Sequence, residues 1–173
     1  TNGIAYVIIF IVNGFNPLSI LMCFAFSIFL VISVIDWRTF EIPFSLNVAI
    51  GVLAVIRIIL DYKNLLDYLI GFCIISGFML ICLYIGRAIK GIDAFGGGDI
   101  KLMAFAGLFL GWKYIILAFL IGCILGAVIH SIRMKVTKAE HVLAFGPYLC
   151  AGLTIAMLFG TNIINWYLSL MAF

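Results

Sequence analysis

Long apolar runs separated by short polar turns constrain the fold of this chain more than any other feature of its sequence. Hydrophobic residues make up 66% of the 173 residues and charged residues only 10%, whereas a soluble domain carries about 25% charged residues. An apolar helix needs about 20 residues to cross a bilayer, so the chain can supply several spans. The sequence therefore predicts an all-α, polytopic membrane bundle.

Breaker and polar residues divide the chain into about seven predicted transmembrane helices. The cluster Asn13-Gly14-Phe15-Asn16-Pro17 is one such breaker, and Pro43 suits the first turn of a helix. No long polar stretch or internal repeat marks a second domain, so residues 1–173 are predicted to form a single membrane-embedded domain. The predicted helices cover residues 4–12, 18–35, 44–60, 65–86, 100–110, 114–129 and 144–159, and a short apolar tail with interfacial Trp166 and Tyr167 follows over 162–173.

The Lys and Arg residues predict which way the bundle faces, because cytoplasmic loops carry an excess of them. Alternating the seven spans assigns seven basic residues to one face and three to the other, so the first face is predicted to be cytoplasmic. The first group is Arg38, Arg87, Lys90, Lys101, Arg133, Lys135 and Lys138, and the second is Arg57, Lys63 and Lys113.

Two acidic residues, Asp36 and Asp99, lie at predicted helix ends on this same face. Carboxylates beside hydrocarbon are costly and are candidates for a functional site. Two close carboxylates repel each other and share a proton, so that one can activate water while the other polarises a carbonyl group. The pattern favours an aspartic protease. For each acid taken alone, a structural role is the alternative: Asp36 as a boundary residue balanced by Arg38, and Asp99 as a first-turn acid favoured by the helix dipole.

Several neighbours of the two acids are candidates for substrate binding or for support of the site. Three glycines precede Asp99, and a bare loop there would let an extended substrate approach closely, although a plain flexible turn is the alternative. Asp93 and Glu41 are secondary acids, which are otherwise solvated loop residues. The full set of supporting candidates is Gly96, Gly97, Gly98, Lys101, Asp93, Arg38, Glu41, Gly146 and Pro147.

The cysteine and histidine residues indicate no metal site. Five cysteines are scattered singly through apolar runs without a C-x-x-C pair, and His130 and His141 are isolated. We therefore expect the cysteines to pack inside helices rather than to bind zinc or form disulfides. The net charge is +3. Basic side chains on a membrane protein usually set its orientation in the bilayer, so no nucleic-acid partner is expected.

In these motifs the chain resembles the type IV prepilin peptidases, membrane aspartic proteases of the GxGD type. Gly96-Gly97-Gly98-Asp99-Ile100-Lys101-Leu102 is similar to the second-aspartate motif of that family, and Ile35-Asp36 with Ile42-Pro43 is similar to its first-aspartate segment. Asp93 falls where an acidic residue often precedes GxGD. Phe145-Gly146-Pro147 resembles a Pro-Phe-Gly-Pro segment in which Ala144 replaces the first proline.

This resemblance implies that Asp36 and Asp99 are the catalytic pair of an endopeptidase. It implies cleavage of the short basic leader of type IV prepilins or pseudopilins at the cytoplasmic face of the inner membrane, with no cofactor. Many members also methylate the new amino terminus with S-adenosylmethionine, through an N-terminal region whose cysteines bind zinc. Thr1 aligns just downstream of that region, so we expect this chain to be either the protease core of a longer enzyme or a short member that only cleaves.

Three alternatives remain open from the sequence. A relative could cut archaeal preflagellin-type leaders or other signal peptides. A small proton- or cation-coupled transporter could use Asp36 and Asp99 at discontinuous helices, but it would favour acids near the middle of the membrane. A non-catalytic membrane assembly subunit has no positive feature in the sequence.

Overall fold

The computed structural model describes residues 2–91, 95–137 and 144–171, which are helical almost throughout. Within these residues there are seven α-helices, one short 3-10 turn at Tyr62–Asn64, and no β-strand. The all-α prediction is confirmed. The helices are α1 Asn2–Asn13, α2 Pro17–Thr39, α3 Phe44–Leu60, α4 Leu65–Lys90, α5 Gly97–Leu110, α6 Trp112–Thr137 and α7 Gly146–Met171.

Four helical segments are long and apolar enough to cross a membrane by length and composition, and the protein is a multi-pass membrane bundle. They are Pro17–Thr39, Tyr62–Ile89, Trp112–Met134 and Gly146–Met171. The other three helices are shorter, with 12 residues in α1, 17 in α3 and 14 in α5. At 1.5 Å per residue, α5 is only about 21 Å long.

Several helices extend beyond their predicted ends. In α2, residues 37–39 were predicted to be loop, but the Thr39 hydroxyl donates to the Ile35 carbonyl and the helix ends only at Phe40. The predicted tail after residue 159 instead continues α7 to Met171. Gly160 lies inside this helix, and its missing side chain leaves room for the Tyr114 ring. The hydroxyl groups of Tyr114 and Thr161 share a hydrogen bond of 3.0 Å. The helices α4 and α6 likewise end later than predicted, at Lys90 and Thr137.

Contacts between helices show that α3, α5 and α7 begin at the end of the bundle where α2 finishes. A Cβ atom on Gly98 would lie 3.0 Å from Ile42, just before α3, and one on Gly51 would lie 2.9 Å from the Phe105 ring, so α3 and α5 run parallel. The first residue of α7, Gly146, is hydrogen-bonded to Asp36 near the end of α2. The two acids are thus at the same end, as the alternating spans predict.

The helix α5 lies at the centre of the bundle. It packs against α3, α4, α6 and α7, and eight of its residues are buried: Ile100, Leu102, Met103, Ala104, Ala106, Gly107, Phe109 and Leu110. Its backbone approaches α4 very closely, since a Cβ atom on Gly107 would lie 2.1 Å from the Gly71 carbonyl oxygen. Small residues that let helix backbones meet in this way are typical of membrane bundles. This packing fixes the position of the α5 N-terminus, which carries Asp99.

Candidate active site

Asp36 is held through both its backbone and its side chain. It lies near the C-terminus of α2 and is only 5% exposed. Its carbonyl oxygen accepts the Phe40 N–H at 2.9 Å, with Phe40 in a left-handed conformation at φ 55°. Its carboxylate Oδ2 accepts the backbone N–H of Gly146 at 2.9 Å, across 110 residues of sequence. A carboxylate with so few degrees of freedom is well placed for chemistry that depends on precise position.

Asp99 is the third residue of α5 and is partly buried. The glycines before it let neighbouring groups come close. Gly98 packs against Ile42, and a Cβ atom on Gly96 would lie only 3.1 Å from the Asp99 carboxylate oxygen Oδ2. The Gly96 backbone also interacts with this carboxylate. Asp99 is therefore turned back over the start of its own helix, where the dipole favours an acid.

The two carboxylates line one cavity at this end of the bundle, and their charges interact. The cavity has a volume of about 270 Å³, which is enough for several water molecules. Two acids in one partly desolvated cavity cannot both carry a charge without strong repulsion, so the pair favours holding a single proton. The lining residues are Asp36, Phe40, Glu41, Ile42, Gly96, Gly97, Gly98 and Asp99.

Four of the predicted supporting residues, Glu41 and the three glycines, line this cavity. Only Gly96 precedes the helix, because α5 already begins at Gly97. The predicted bare loop is thus largely the first turn of a helix.

Arg38 and Lys101 do not line the cavity. Arg38 is exposed in the last turn of α2, and the Lys101 ammonium lies 5.3 Å from the centre of the Phe44 ring. Asp93 lies outside the described residues.

The predicted Phe-Gly-Pro segment meets the site through Gly146, the donor to Asp36. Pro147, the next residue, instead lines an apolar groove of about 350 Å³ between α2 and α7. This groove is lined by Phe26, Phe29, Leu30, Ser33, Val34, Pro147, Cys150, Ala151, Thr154 and Ile155, and we call it the α2–α7 groove. The α2–α7 groove adjoins the end of the bundle that carries the cavity.

Sequence reasoning missed two residues between the cavity and the groove, Ser33 and Cys150. Cys150 is buried, lies beside Ser33, and is within the electrostatic influence of both Asp36 and Asp99. Ser33 precedes Asp36 by three residues, so helical spacing could have placed it on the same side of α2. Cys150 follows Gly146 by four residues in α7, but no sequence signal connects α7 with α2.

No group of three or more His, Cys, Asp and Glu side chains is placed to hold a metal ion in the part of the chain that the structure describes. The cysteines Cys23, Cys73, Cys82, Cys123 and Cys150 are all free thiols. The described residues therefore do not fit a zinc site, and no chemical step here is assigned to a metal.

Comparison with known proteins identifies relatives of this arrangement. Residues 23–131 match the type IV leader peptidase family. The prepilin leader peptidase/N-methyltransferase of Legionella pneumophila is 44% identical over 75 residues, which cover 42% of this chain and 26% of that protein. The proteins of the same name from Stutzerimonas stutzeri and Pseudomonas aeruginosa are each 34% identical, over 84 and 89 residues, covering 47% and 50% of this chain.

These matches cover only part of the relatives, 29% of the Stutzerimonas protein and 31% of the Pseudomonas protein. No solved structure matches the chain.

Proposed function

Because the chain belongs to the type IV leader peptidase family, we propose that it is a membrane aspartic endopeptidase in which Asp36 and Asp99 form the catalytic pair. The observation that carries this proposal is the shared cavity, into which both carboxylates open from separate helices. Such a pair supplies a base for water and an acid for the scissile carbonyl group within one site.

The surroundings of the pair suit hydrolysis at the edge of a membrane. The cavity is lined by glycine backbone on the α5 side and by Phe40, Glu41 and Ile42 on the other, so an extended backbone meets no side chain of these glycines on the α5 side. Asp99 is partly exposed and Asp36 is almost fully buried, but both carboxylates line the cavity, so water held there can reach either of them. A site of this kind cleaves a peptide bond that lies just outside the hydrocarbon region.

We further propose that the substrate is the leader of a type IV prepilin or pseudopilin. The matched relatives carry the name prepilin leader peptidase, and the motif order around both acids is similar to that family. The excess of Lys and Arg on the face that carries both acids supports a site at the cytoplasmic face of the inner membrane, and this location is part of the proposal. Methylation of the new amino terminus is not part of the proposal.

Cleavage of a purified prepilin in liposomes by wild type, Asp36→Asn and Asp99→Asn tests the proposed mechanism. Each substitution keeps the shape of the side chain and removes its ionisation, so we expect wild type to cleave and each variant to lose at least about 1,000-fold in rate, as expected when one member of a catalytic unit is removed. Lys113→Gln, at the opposite end of the bundle, serves as the control and should cleave normally.

Substantial cleavage by either aspartate variant would remove that residue from the pair. A wild-type protein that folds but cleaves no prepilin, and instead moves protons or cations across the liposome membrane in an Asp36-dependent manner, would favour the transporter alternative.

A further inference from the structure

The contact between Gly146 and Asp36 is the most specific long-range polar contact at the site. Gly146 opens α7, so its N–H is among the first-turn donors that find no acceptor within their own helix. This N–H is instead donated to Asp36 Oδ2 at 2.9 Å, and the hydrogen bond is buried. A buried hydrogen bond to a charged acceptor is stronger than one between neutral groups. The start of α7 thus acts on one of the two acids directly.

Residue 146 must be glycine for this contact to form. A Cβ atom there would lie 2.7 Å from Asp36 Oδ2, 3.0 Å from its Cγ and 3.2 Å from its Cβ. The whole carboxyl group therefore lies against the bare α-carbon of Gly146. The nearest part of the obstacle is the end of a side chain rather than backbone, so a methyl group at residue 146 would displace the carboxylate of Asp36 rather than separate α2 from α7.

The same contact makes the two acids unequal. Asp36 Oδ2 is fixed as an acceptor at the positive end of a helix of 26 residues, which favours the ionised carboxylate. Asp99 interacts with the Gly96 backbone, but no hydrogen bond of comparable geometry reaches its carboxylate within residues 2–91, 95–137 and 144–171. Because the pair favours a single proton, this difference in hydrogen bonding favours a proton on Asp99 over one on Asp36.

We propose that Gly146 is a positioning residue that holds Asp36 as the ionised, water-activating member of the pair and leaves the proton on Asp99. This assignment rests on the proposed peptidase function and adds to it which acid performs which step. Besides Asp99, the ionisable groups found near Asp36 among the described residues include Glu41, which lines the same cavity, and Cys150, which is buried behind it.

The assignment gives a balanced reaction. Asp36 takes a proton from water as the water oxygen bonds to the scissile carbonyl carbon, and Asp99 gives its proton to the carbonyl oxygen, which produces a neutral gem-diol. Asp36 then gives the acquired proton to the amide nitrogen as the C–N bond breaks, and Asp99 recovers a proton from one diol hydroxyl. The products are a carboxylic acid and an amine, and the pair returns to its starting protonation.

The direct test is a pH titration of the two carboxyl groups, monitored by NMR. The whole chain is labelled with ¹³C at the aspartate carboxyl carbons and held in detergent. Asp36→Asn and Asp99→Asn assign the two resonances, since each variant lacks one of them. We expect Asp36 to be ionised and Asp99 protonated when the pair holds one proton. A proton located on Asp36 would overturn the proposal, and this result does not depend on cleavage of any substrate.

Gly146→Ala tests the positioning role, with Gly77→Ala as the matched control, because a Cβ atom on Gly77 meets nothing within 4 Å. We expect Gly146→Ala to make Asp36 hold its proton to higher pH and to lower kcat about 100-fold at similar KM, the cost of misplacing a reacting group by about 1 Å. If Asp36 in the Gly146→Ala variant titrates as it does in the wild type, and the variant cleaves at the wild-type rate, the proposal is overturned. If the variant does not fold, the wild-type titration decides alone. Failure of wild type to cleave any prepilin would count against the peptidase function and leave the titration result in place.

Discussion

At the scale of single residues, the site depends on how the protein shields each carboxylate from lipid. Asp36 is covered by the start of α7 and its neighbours, and Asp99 lies over the first turn of a helix whose other residues are mostly buried in protein. An acid in a membrane protein is costly unless it faces such an interior. The arrangement explains how two acids can remain in a chain with so few charges.

Glu41 is the third acid of the cavity and should affect substrate binding rather than chemistry. It is exposed and lines the cavity beside Asp36 and Phe40. If the leader bound there is basic, as the resemblance implies, Glu41→Gln should raise KM about twofold to fivefold, the value of one exposed ion pair, with kcat unchanged. Steady-state cleavage kinetics check this, with Asp67→Asn at the opposite end of the bundle as control. A fall in kcat without a change in KM would contradict it.

Individual residues also show what the sequence could predict about the site. Asp36 and Asp99 were predictable, because an acid at the end of an apolar run is conspicuous and span alternation places both at one end. The amide of Gly146 was not predictable as the partner of Asp36, because a contact across 110 residues depends on which helices are neighbours. Lys101 stays a predicted supporting residue, and its spacing from Asp99 did not reveal that its ammonium packs over the Phe44 ring.

At the scale of helices, close packing of backbones determines where α5 lies. Gly107 of α5 and Gly71 of α4 face each other, and a Cβ atom on either would lie within 2.4 Å of the other's carbonyl oxygen. No side chain can be accommodated there unless the helices separate. Because Asp99 is two turns before Gly107 on the same helix, this contact also fixes the depth of the acid.

Gly107→Ala and Gly77→Ala should therefore have opposite effects on stability. Gly107→Ala overpacks the contact at a cost of about 1–3 kcal/mol, which lowers the melting temperature by about 2–12 °C for a chain of this size. Gly77→Ala adds a methyl group in open space and should leave the melting temperature unchanged or raise it, since Ala favours the helix. Thermal unfolding in detergent measures both, and equal melting temperatures would show that α4 and α5 adjust freely.

Helix existence was easier to predict than helix ends. The seven apolar runs correspond to seven helices because hydropathy reports burial in lipid or protein directly. The ends were placed too early in α2, α4 and α6, since polar residues were taken as loop although a helix can continue into water. In α7 the end was also placed too early, because the apolar tail after residue 159 was not taken as part of the helix. The end of α2 at Phe40 illustrates the difficulty, because a left-handed residue at such a site is usually Gly or Asn.

At the scale of the whole molecule, the α2–α7 groove offers a route from the membrane to the proposed catalytic pair. It is apolar and includes Ser33 and Cys150, and Cys150 is within the electrostatic influence of both Asp36 and Asp99. A substrate whose apolar segment stays in the bilayer can present its leader junction to the cavity by lying along this groove. We predict that the apolar segment of the substrate is its occupant.

A bulky side chain in the groove should then weaken substrate binding. Ala151→Trp places an indole among the groove residues and is expected to raise KM about tenfold or more, the effect of a poor fit in an apolar pocket, with Asp36 and Asp99 unaltered. Ala127→Trp, on the exposed side of α6, is the matched control and should leave KM unchanged. Cleavage kinetics in liposomes decide, and equal KM values for the two variants would mean that the substrate docks elsewhere or that only lipid fills the groove.

The shortness of α5 has a consequence for how the protein is made. A helix of 14 residues, buried on most sides by other helices, is too short to be recognised as a span by itself during synthesis. It is held in the bundle by neighbours that include α6 and α7, which emerge from the ribosome after it. The hydrogen bond from Gly146 to Asp36 can form only when α7 has been added, so the nascent chain completes the surroundings of Asp36 last.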